Sequence, residues 1–258
     1  RGEDGSVQGL LELADVAYVG AGIAASAVGM DKELARAVFA QAGLRQTDYL
    51  VIRRSAWNVD RQGTLEDIEA KLRYPLFVKP VNLGSSIGIS KVHDTQSLES
   101  AIDLAAGYDL KIMVEASVEN ARELECAVLG NDDPKASVIG EIIPGAEFYD
   151  YTTKYIDDRS QLIVPAELPE SVSAEIQRMS VDAFRSIDCA GLGRVDFLMT
   201  YSGDIFLNEI NTMPGFTPIS MYPRLWQASG IAYPALIDEL IQLALARHHE
   251  TQQISSNR

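Results

Sequence analysis

Residues 193–220 read GRVDFLMTYSGDIFLNEINTMPGFTPIS, and the rest of the chain is organised around them. Two apolar, strand-like runs, residues 195–200 and 205–207, flank a turn at Tyr201-Ser202-Gly203-Asp204. The first run carries Arg194 and Asp196, and the second ends in Glu209 and Asn211. Alternation with period two puts Arg194 and Asp196 on one face, and Glu209 and Asn211 on one face. Folded as a hairpin, the runs would bring Asp196, Glu209 and Asn211 together. Three hard oxygen donors at one point suit Mg²⁺. Arg194 would then face whatever anion the metal holds. The plainer alternative is a surface hairpin with solvated charges. It is disfavoured because apolar residues alternate with the charges and the second run leads into Pro214-Gly215, where backbone N–H groups could stabilise an oxyanion.

Composition narrows the classes. The 258 residues, 47% of them hydrophobic, suffice for one large or two modest globular domains. A net charge of −15 argues against a long nucleic-acid groove. No apolar run is long enough to span a membrane. Cys126 and Cys189 lie in apolar contexts without CxxC spacing, so reduced, buried thiols and a cytoplasmic location are expected. His93, His248 and His249 have no metal-ligand spacing, which removes a His-based zinc site and a Ser/His/Asp triad. The chain opens at Arg1 without an initiator Met and inside a turn-like segment, so residues before Arg1 are expected in the natural protein.

Along the chain, strands and helices alternate, which predicts an α+β or α/β layered architecture. Helices are expected over residues 6–13, 32–42 (capped by Asp31 and closed by Gly43), 64–72, 95–106, 171–187 and 235–246. Strands are expected over residues 16–19, 49–52, 76–78, 89–92, 110–114, 123–129 and 137–142. Lys79 ends an apolar strand, where a lysine is costly unless it meets an anion. The loop Asn82-Leu83-Gly84-Ser85-Ser86-Ile87-Gly88 follows, with backbone N–H groups and hydroxyls fit for a phosphate cradle. It is not the GxxxxGK[ST] pattern. The segment Glu115-Ala116-Ser117-Val118 is a candidate hinge against which an adenine could lie. Residues 148–165 form a long loop rich in aromatic and charged residues, a candidate lid.

Taken together, these residues resemble the D-alanine–D-alanine ligases of the ATP-grasp superfamily. The resemblance rests on GEDGSVQGLLEL (residues 2–13), MDK (30–32), FVKPVNLGSSIGISKV (77–92), FYDYTTKY (148–155), GRVDF (193–197) and NEINTMPGFT (208–217), in the family's order over nearly the whole chain. It implies an α+β ATP-grasp fold in which two α/β subdomains grip ATP between their sheets. Residues 1–20 would be the remnant of an N-terminal substrate domain, 21–115 the central subdomain and 116–258 the C-terminal subdomain.

The resemblance also implies roles. Lys32 and Lys79 contact ATP phosphates, the loop bearing Ser86 closes over them, and Lys154 and Phe148 approach the nucleotide from the long loop. Glu115, Ala116 and the backbone to Val118 hold the adenine, and Glu123 binds the ribose. Asp196, Glu209 and Asn211 hold two Mg²⁺ ions, for which Mn²⁺ can substitute. Arg194 and the Gly215 N–H stabilise the tetrahedral intermediate. Ser85 and Tyr155 shape the site of amine attack, and Ser220 and Met221 hold the second substrate's carboxylate. The partners implied are D-alanine and ATP, with no nucleic acid, no membrane and a homodimeric assembly.

The implied reaction joins two D-alanine molecules through an acyl phosphate, for peptidoglycan precursors. Two alternatives stand beside it. One is an ATP-binding fragment without turnover. The other is a ligase using D-serine or D-lactate, as vancomycin-resistance relatives do. Met221, where many of those relatives carry Arg, and Tyr155, which depsipeptide-forming relatives tend to lose, favour D-alanine.

Overall fold

The computed structural model describes residues 2–84, 87–143 and 161–254. The chain begins with three helices, α1 (Ser6–Leu13), α2 (Ile23–Met30) and α3 (Lys32–Gln41). Asp31 caps α3, its carboxylate accepting from the Glu33 and Leu34 N–H groups at 3.1 Å. Gly43, at φ 74°, ends the helix: Leu44 N–H reaches back to the Phe39 carbonyl at 2.9 Å and Gly43 N–H to Ala40 at 3.0 Å. Residues 16–19 are not a strand. Among the described residues no strand pairs with them; instead Arg247 donates to the Tyr18 carbonyl and to that of Gly20, just after them.

A four-stranded antiparallel sheet follows, built from β1 (Tyr49–Arg53), β2 (Leu76–Pro80), β3 (Ser90–Val92) and β4 (Lys111–Ala116) in the order β1-β4-β2-β3. Helices α4 (Arg54–Val59), α5 (Arg61–Lys71) and α6 (Thr95–Ala106) supply Trp57, Leu65, Ile68, Leu98 and Ile102 to one face of it. These pack on Leu76, Val78, Ile112 and Val114. By the period of two, Lys79, Met113 and Glu115 then project from the opposite face.

The second sheet has five strands, β5 (Arg122–Gly130), β6 (Lys135–Ile143), β7 (Gln161–Ile163), β8 (Gly191–Met199) and β9 (Ile205–Asn211), in the order β7-β6-β5-β8-β9. The expected hairpin is β8–β9, its turn closed by Gly203 N–H to the Thr200 carbonyl at 3.0 Å. One face, with Leu124, Cys126, Val195, Phe197 and Leu207, packs on α7 (Glu170–Ser186) through Ile176, Met179, Ala183 and Phe184. Ala25, Ala35 and Phe39 of α2 and α3 join that core. The other face is split. Ala127, Leu129 and Ile142 are covered by α8 (Met221–Ala228) and α9 (Tyr233–Gln253), whereas the part bearing Glu125, Arg194 and Asp196 is charged.

Both cysteines are buried and unpaired. Burial pushes the Cys126 thiol up to about 11 and the Cys189 thiol up to about 12, so neither is a ready nucleophile. No helix among the described residues is long and apolar enough to cross a membrane.

Candidate active site

Two charged clusters meet at the edge of α3. The first lies on the face of the smaller sheet turned away from α4, α5 and α6. Lys79 ends β2 and Glu115 lies near the end of β4, on neighbouring strands with Lys79 opposite Met113 and Phe77 opposite Glu115. Lys79 Nζ is ion-paired with Glu115 Oε1, and Arg36 Nη2 with Glu115 Oε2. Arg36 arrives from α3, four residues after Lys32 and therefore on the same helix face. Lys79, Glu115 and Arg36 are 5%, 7% and 2% exposed. Burial works against the Glu115 charge, but the Lys79 and Arg36 charges outweigh it and hold the carboxyl below its ordinary range. Burial, with Arg36 and Lys32 nearby, pushes the Lys79 ammonium down in spite of Glu115. Two cations around one carboxylate leave an excess positive charge.

The second cluster is the hairpin. Arg194 grips Asp196 bidentately, Nε to Oδ1 and Nη2 to Oδ2 both at 2.7 Å, and its Nε lies 3.0 Å from Glu125 Oε2. Asn211 Nδ2 donates to Asp196 Oδ2 at 3.0 Å. Burial opposes the Arg194 charge, yet the Asp196 and Glu125 carboxylates raise its pKa far above any working pH. Asp196 pairs across the ladder with Glu209, and Arg194 with Asn211.

That convergence depends on a bulge. Leu207 and Glu209 are two residues apart, so a regular strand would aim both into the core. The register shifts between Asp196 and Phe197: Asp196 faces Glu209 while Phe197 faces Leu207, so Asn208 is the extra residue. The bulge reverses the phase of β9. Leu207 and Ile210 stay in the core, and Glu209 and Asn211 turn to the face of Asp196.

Lys32 joins the clusters. Its Nζ lies 3.4 Å from Glu209 Oε2 and donates to the Leu83 carbonyl at 2.7 Å. Its backbone N–H bonds the Val81 carbonyl at 3.2 Å, seating the start of α3 against the end of β2. A site with surplus cations on one side and surplus carboxylates on the other accommodates a polyanion together with a divalent metal.

The hinge is anchored on both sides. Ala116 N–H donates to the Asp48 carbonyl at 2.9 Å and Ser117 N–H to Pro75 at 3.1 Å. Because the Glu115 side chain is taken up by Lys79 and Arg36, a flat base there would be read by backbone groups around Val118. Glu123 lies two residues before Glu125 on β5, on the same face of the strand. At the far end, Ser220 Oγ accepts from Thr217 N–H at 3.1 Å and stands at the start of α8. A Cβ on Gly215 would come within 3.1 Å of that Oγ. Met221 is 6% exposed and buried in the core under α8 and α9, so at this site it has only its backbone N–H to offer. Ser85, Ser86, Phe148, Lys154 and Tyr155 lie outside the described residues.

The family model described as the D-Ala D-Ala ligase C-terminus matches residues 38–242. The chain is 54% identical to the D-alanine–D-alanine ligase of Bacillus cytotoxicus, over 98% of this chain and 70% of that protein. It is also 54% identical to that of Acetivibrio thermocellus, over 97% of this chain and 66% of that one. The chain belongs to the D-alanine–D-alanine ligase family. Among solved structures, the D-alanine–D-alanine ligase from Coxiella burnetii superposes with a TM-score of 0.86 at 41% identity, over 98% of this chain and 67% of that one. The VanG D-Ala:D-Ser ligase from Enterococcus faecalis does so with 0.85 at 39%, over 94% and 69%. The chain thus spans about two thirds of the length of these ligases, and both structures share its α+β, ATP-grasp architecture.

Two members of the site were not legible beforehand, Arg36 and Glu125. The only sequence signal for Arg36 is its i+4 spacing from Lys32, and for Glu125 its alternation with Glu123. A cavity of about 680 Å³ lies elsewhere, between α9, the end of α7 and residues 12–22; its lining, which includes Tyr18, Arg185 and Arg247, shares no residue with this site.

Proposed function

We propose that this chain is the part of a D-alanine–D-alanine ligase that binds ATP, metal and the second D-alanine. The observation that carries the reading is Lys32 bridging to Glu209, which sets the cationic Lys79–Glu115–Arg36 cluster beside the carboxylates of the hairpin. A nucleotide phosphate chain with its metal needs both in one place. In this reading residues 21–115 and 116–258 form the two gripping subdomains and residues 1–20 end a preceding domain. Helix α3 is shared, sending Ala35 and Phe39 into the core of the larger sheet and Arg36 toward the smaller.

The donor set fits the metal, since Asp196 and Glu209 supply carboxylates and Asn211 an amide oxygen. Two Mg²⁺ ions, or Mn²⁺ in their place, would neutralise charge on the phosphates when bound. Lys32 and Lys79 hold phosphate oxygens, assisted by Ser86 and Lys154 from the loops. Ala116 to Val118 and Phe148 enclose the adenine, and Glu123 takes the ribose hydroxyls. A carboxylate oxygen of the first D-alanine accepts the γ-phosphoryl group, and ADP leaves. The amine of the second D-alanine, placed by Ser85 and Tyr155, attacks the acyl carbon. The new C–N bond forms, the C–O bond to phosphate breaks, and the amine loses a proton. Arg194 and the Gly215 N–H stabilise the oxyanion. Ser220 Oγ and the Met221 N–H, at the start of α8, hold the acceptor's carboxylate. The setting is cytoplasmic synthesis of peptidoglycan precursors by a homodimer.

The test is phosphate release by the full-length protein with ATP and Mg²⁺. Release that requires D-alanine is expected, with D-alanine preferred over D-serine and D-lactate as acceptor. Nucleotide binding by the full-length protein without D-alanine-dependent release would count against the ligase reading, and turnover by these 258 residues alone would remove the alternative of an ATP-binding fragment. Preference for D-serine would move the protein toward the VanG-like activity.

A further inference from the structure

Arg36 is the most enclosed charged side chain among the described residues, and the reaction outlined above gives it no role. Its Nη1 donates to Thr47 Oγ1 at 3.0 Å and to the Thr47 carbonyl at 3.2 Å, its Nη2 pairs with Glu115 Oε2, and its guanidinium lies 4.9 Å from the centre of the Tyr49 ring. Thr47 Oγ1 reaches the same Glu115 oxygen at 3.4 Å. Glu115 Oε2 is therefore held from two sides, and Oε1 alone is turned to Lys79. A fork of donors fixed by a threonine and an aromatic ring allows the carboxylate one orientation.

The arrangement also divides the charge. One carboxylate serves two cations, so Lys79 is not neutralised by a private partner. Without Arg36, Glu115 could turn both oxygens to Lys79, forming a closed ion pair that a phosphate would have to break. We infer that Arg36 is a positioning residue for the nucleotide: by holding Glu115, it keeps the Lys79 ammonium aimed and available for phosphate oxygens. The inference rests on the nucleotide reading of the site and adds to it a residue that never touches the ligand.

The experiment is a double-mutant cycle on ADP with Mg²⁺, measured by calorimetry on the full-length protein. Arg36→Gln is expected to raise Kd about tenfold, the scale of one lost interaction with a charged group. Arg36→Lys should recover most of that loss. In a Lys79→Met background, Arg36→Gln should change Kd by less than about twofold, because its effect passes through Lys79. A fall in Tm with Kd unchanged would make Arg36 a scaffold residue only and overturn the inference. The same loss in both backgrounds would overturn it too, since Arg36 would then act independently of Lys79. If Arg36→Gln does not fold, the cycle is run with Thr47→Val, which removes the hydroxyl that fixes both the Arg36 fork and Glu115 Oε2, and whose loss of ADP affinity must likewise vanish in the Lys79→Met background. Absence of ADP binding by the unaltered protein would instead sink the nucleotide reading, and this inference with it.

Discussion

The two charged clusters are mirror images in sign. On the smaller sheet, one carboxylate, Glu115, is held by two cations, Lys79 and Arg36. On the larger, one cation, Arg194, is held by two carboxylates, Asp196 and Glu125. Each centre satisfies its buried charge and leaves one charge over, positive on one sheet and negative on the other. A lone buried ion would be prohibitively costly, and a neutral pair would attract nothing. Three charges allow a stable fold and a site that still wants a ligand. The difference between them is local geometry. Lys79 and Glu115 lie on unbroken strands of regular alternation, with Arg36 reaching them from α3, whereas Glu209 and Asn211 join the anionic cluster only through the bulge at Asn208.

The largest effect should come from removing the central charge of the cationic cluster. Glu115→Gln leaves Lys79 and Arg36 buried without a counter-charge and should cost about 3–5 kcal/mol in denaturant unfolding. A loss under about 1 kcal/mol would mean that the cluster is solvated. Next is a peripheral member of the other cluster. Glu209→Gln should lower turnover more than about 100-fold with the fold intact, the scale of losing one strong electrostatic contributor. A change under about twofold would remove the metal assignment, since the hairpin would then be merely structural.

Acid should reach the cationic cluster through Glu115. The Glu115 pKa is depressed in the folded chain from its ordinary 4.5. Its contribution is complete above that value and is lost as pH falls through the folded value. Unfolding free energy should therefore decline below about pH 4.5, and Glu115→Gln should flatten that decline; an unchanged slope would place the acid sensitivity elsewhere.

Outside both clusters, Ser220→Ala should raise the acceptor's KM about tenfold, with ATP binding unaltered, if Ser220 Oγ holds the carboxylate. The reverse pattern would move the acceptor site. Arg178→Ala is the control. It breaks an exposed ion pair with Asp182, 2.9 Å long and one turn away on α7, and should change stability by less than about 0.5 kcal/mol.

The fold was legible where local chemistry and periodicity agreed. Asp31 and Gly43 delimit α3, the YSGD turn closes the hairpin, and alternating apolar residues set the core faces of β5 and β8. It was less so where tertiary contacts decide. Helix α8 was not foreseen because it follows a Pro-Gly segment and carries Pro223 itself. That proline lies in the first turn, where its missing N–H leaves no intrahelical bond unmade. Helix α2, with Gly29 inside it, is held by its packing: a Cβ on Gly29 would come within 2.8 Å of the Thr212 methyl. The end of α9 runs past its apolar stretch to Gln253, tied by Arg247 to residues 18–20.

At the site, the types of the residues proposed to hold metal were readable, but the means of bringing them together was not. Period two alone assigns Glu209 to the same face as Leu207, and no residue marks Asn208 as the extra one. Arg36 was hidden for a different reason. In KELARAV a lone arginine has the spacing of an ordinary solvated helix position, and only the fold shows Glu115 beneath it.

In the proposed function, the clusters of opposite sign serve one ligand, a nucleotide with its metal. Calorimetry of ADP binding to the full-length protein, with and without Mg²⁺, tests it most directly. Mg²⁺ is expected to tighten ADP binding, ADP to tighten Mg²⁺ binding by the same factor, and Glu209→Gln to abolish this coupling. ADP affinity independent of Mg²⁺ would contradict it and make the two clusters separate features of the fold.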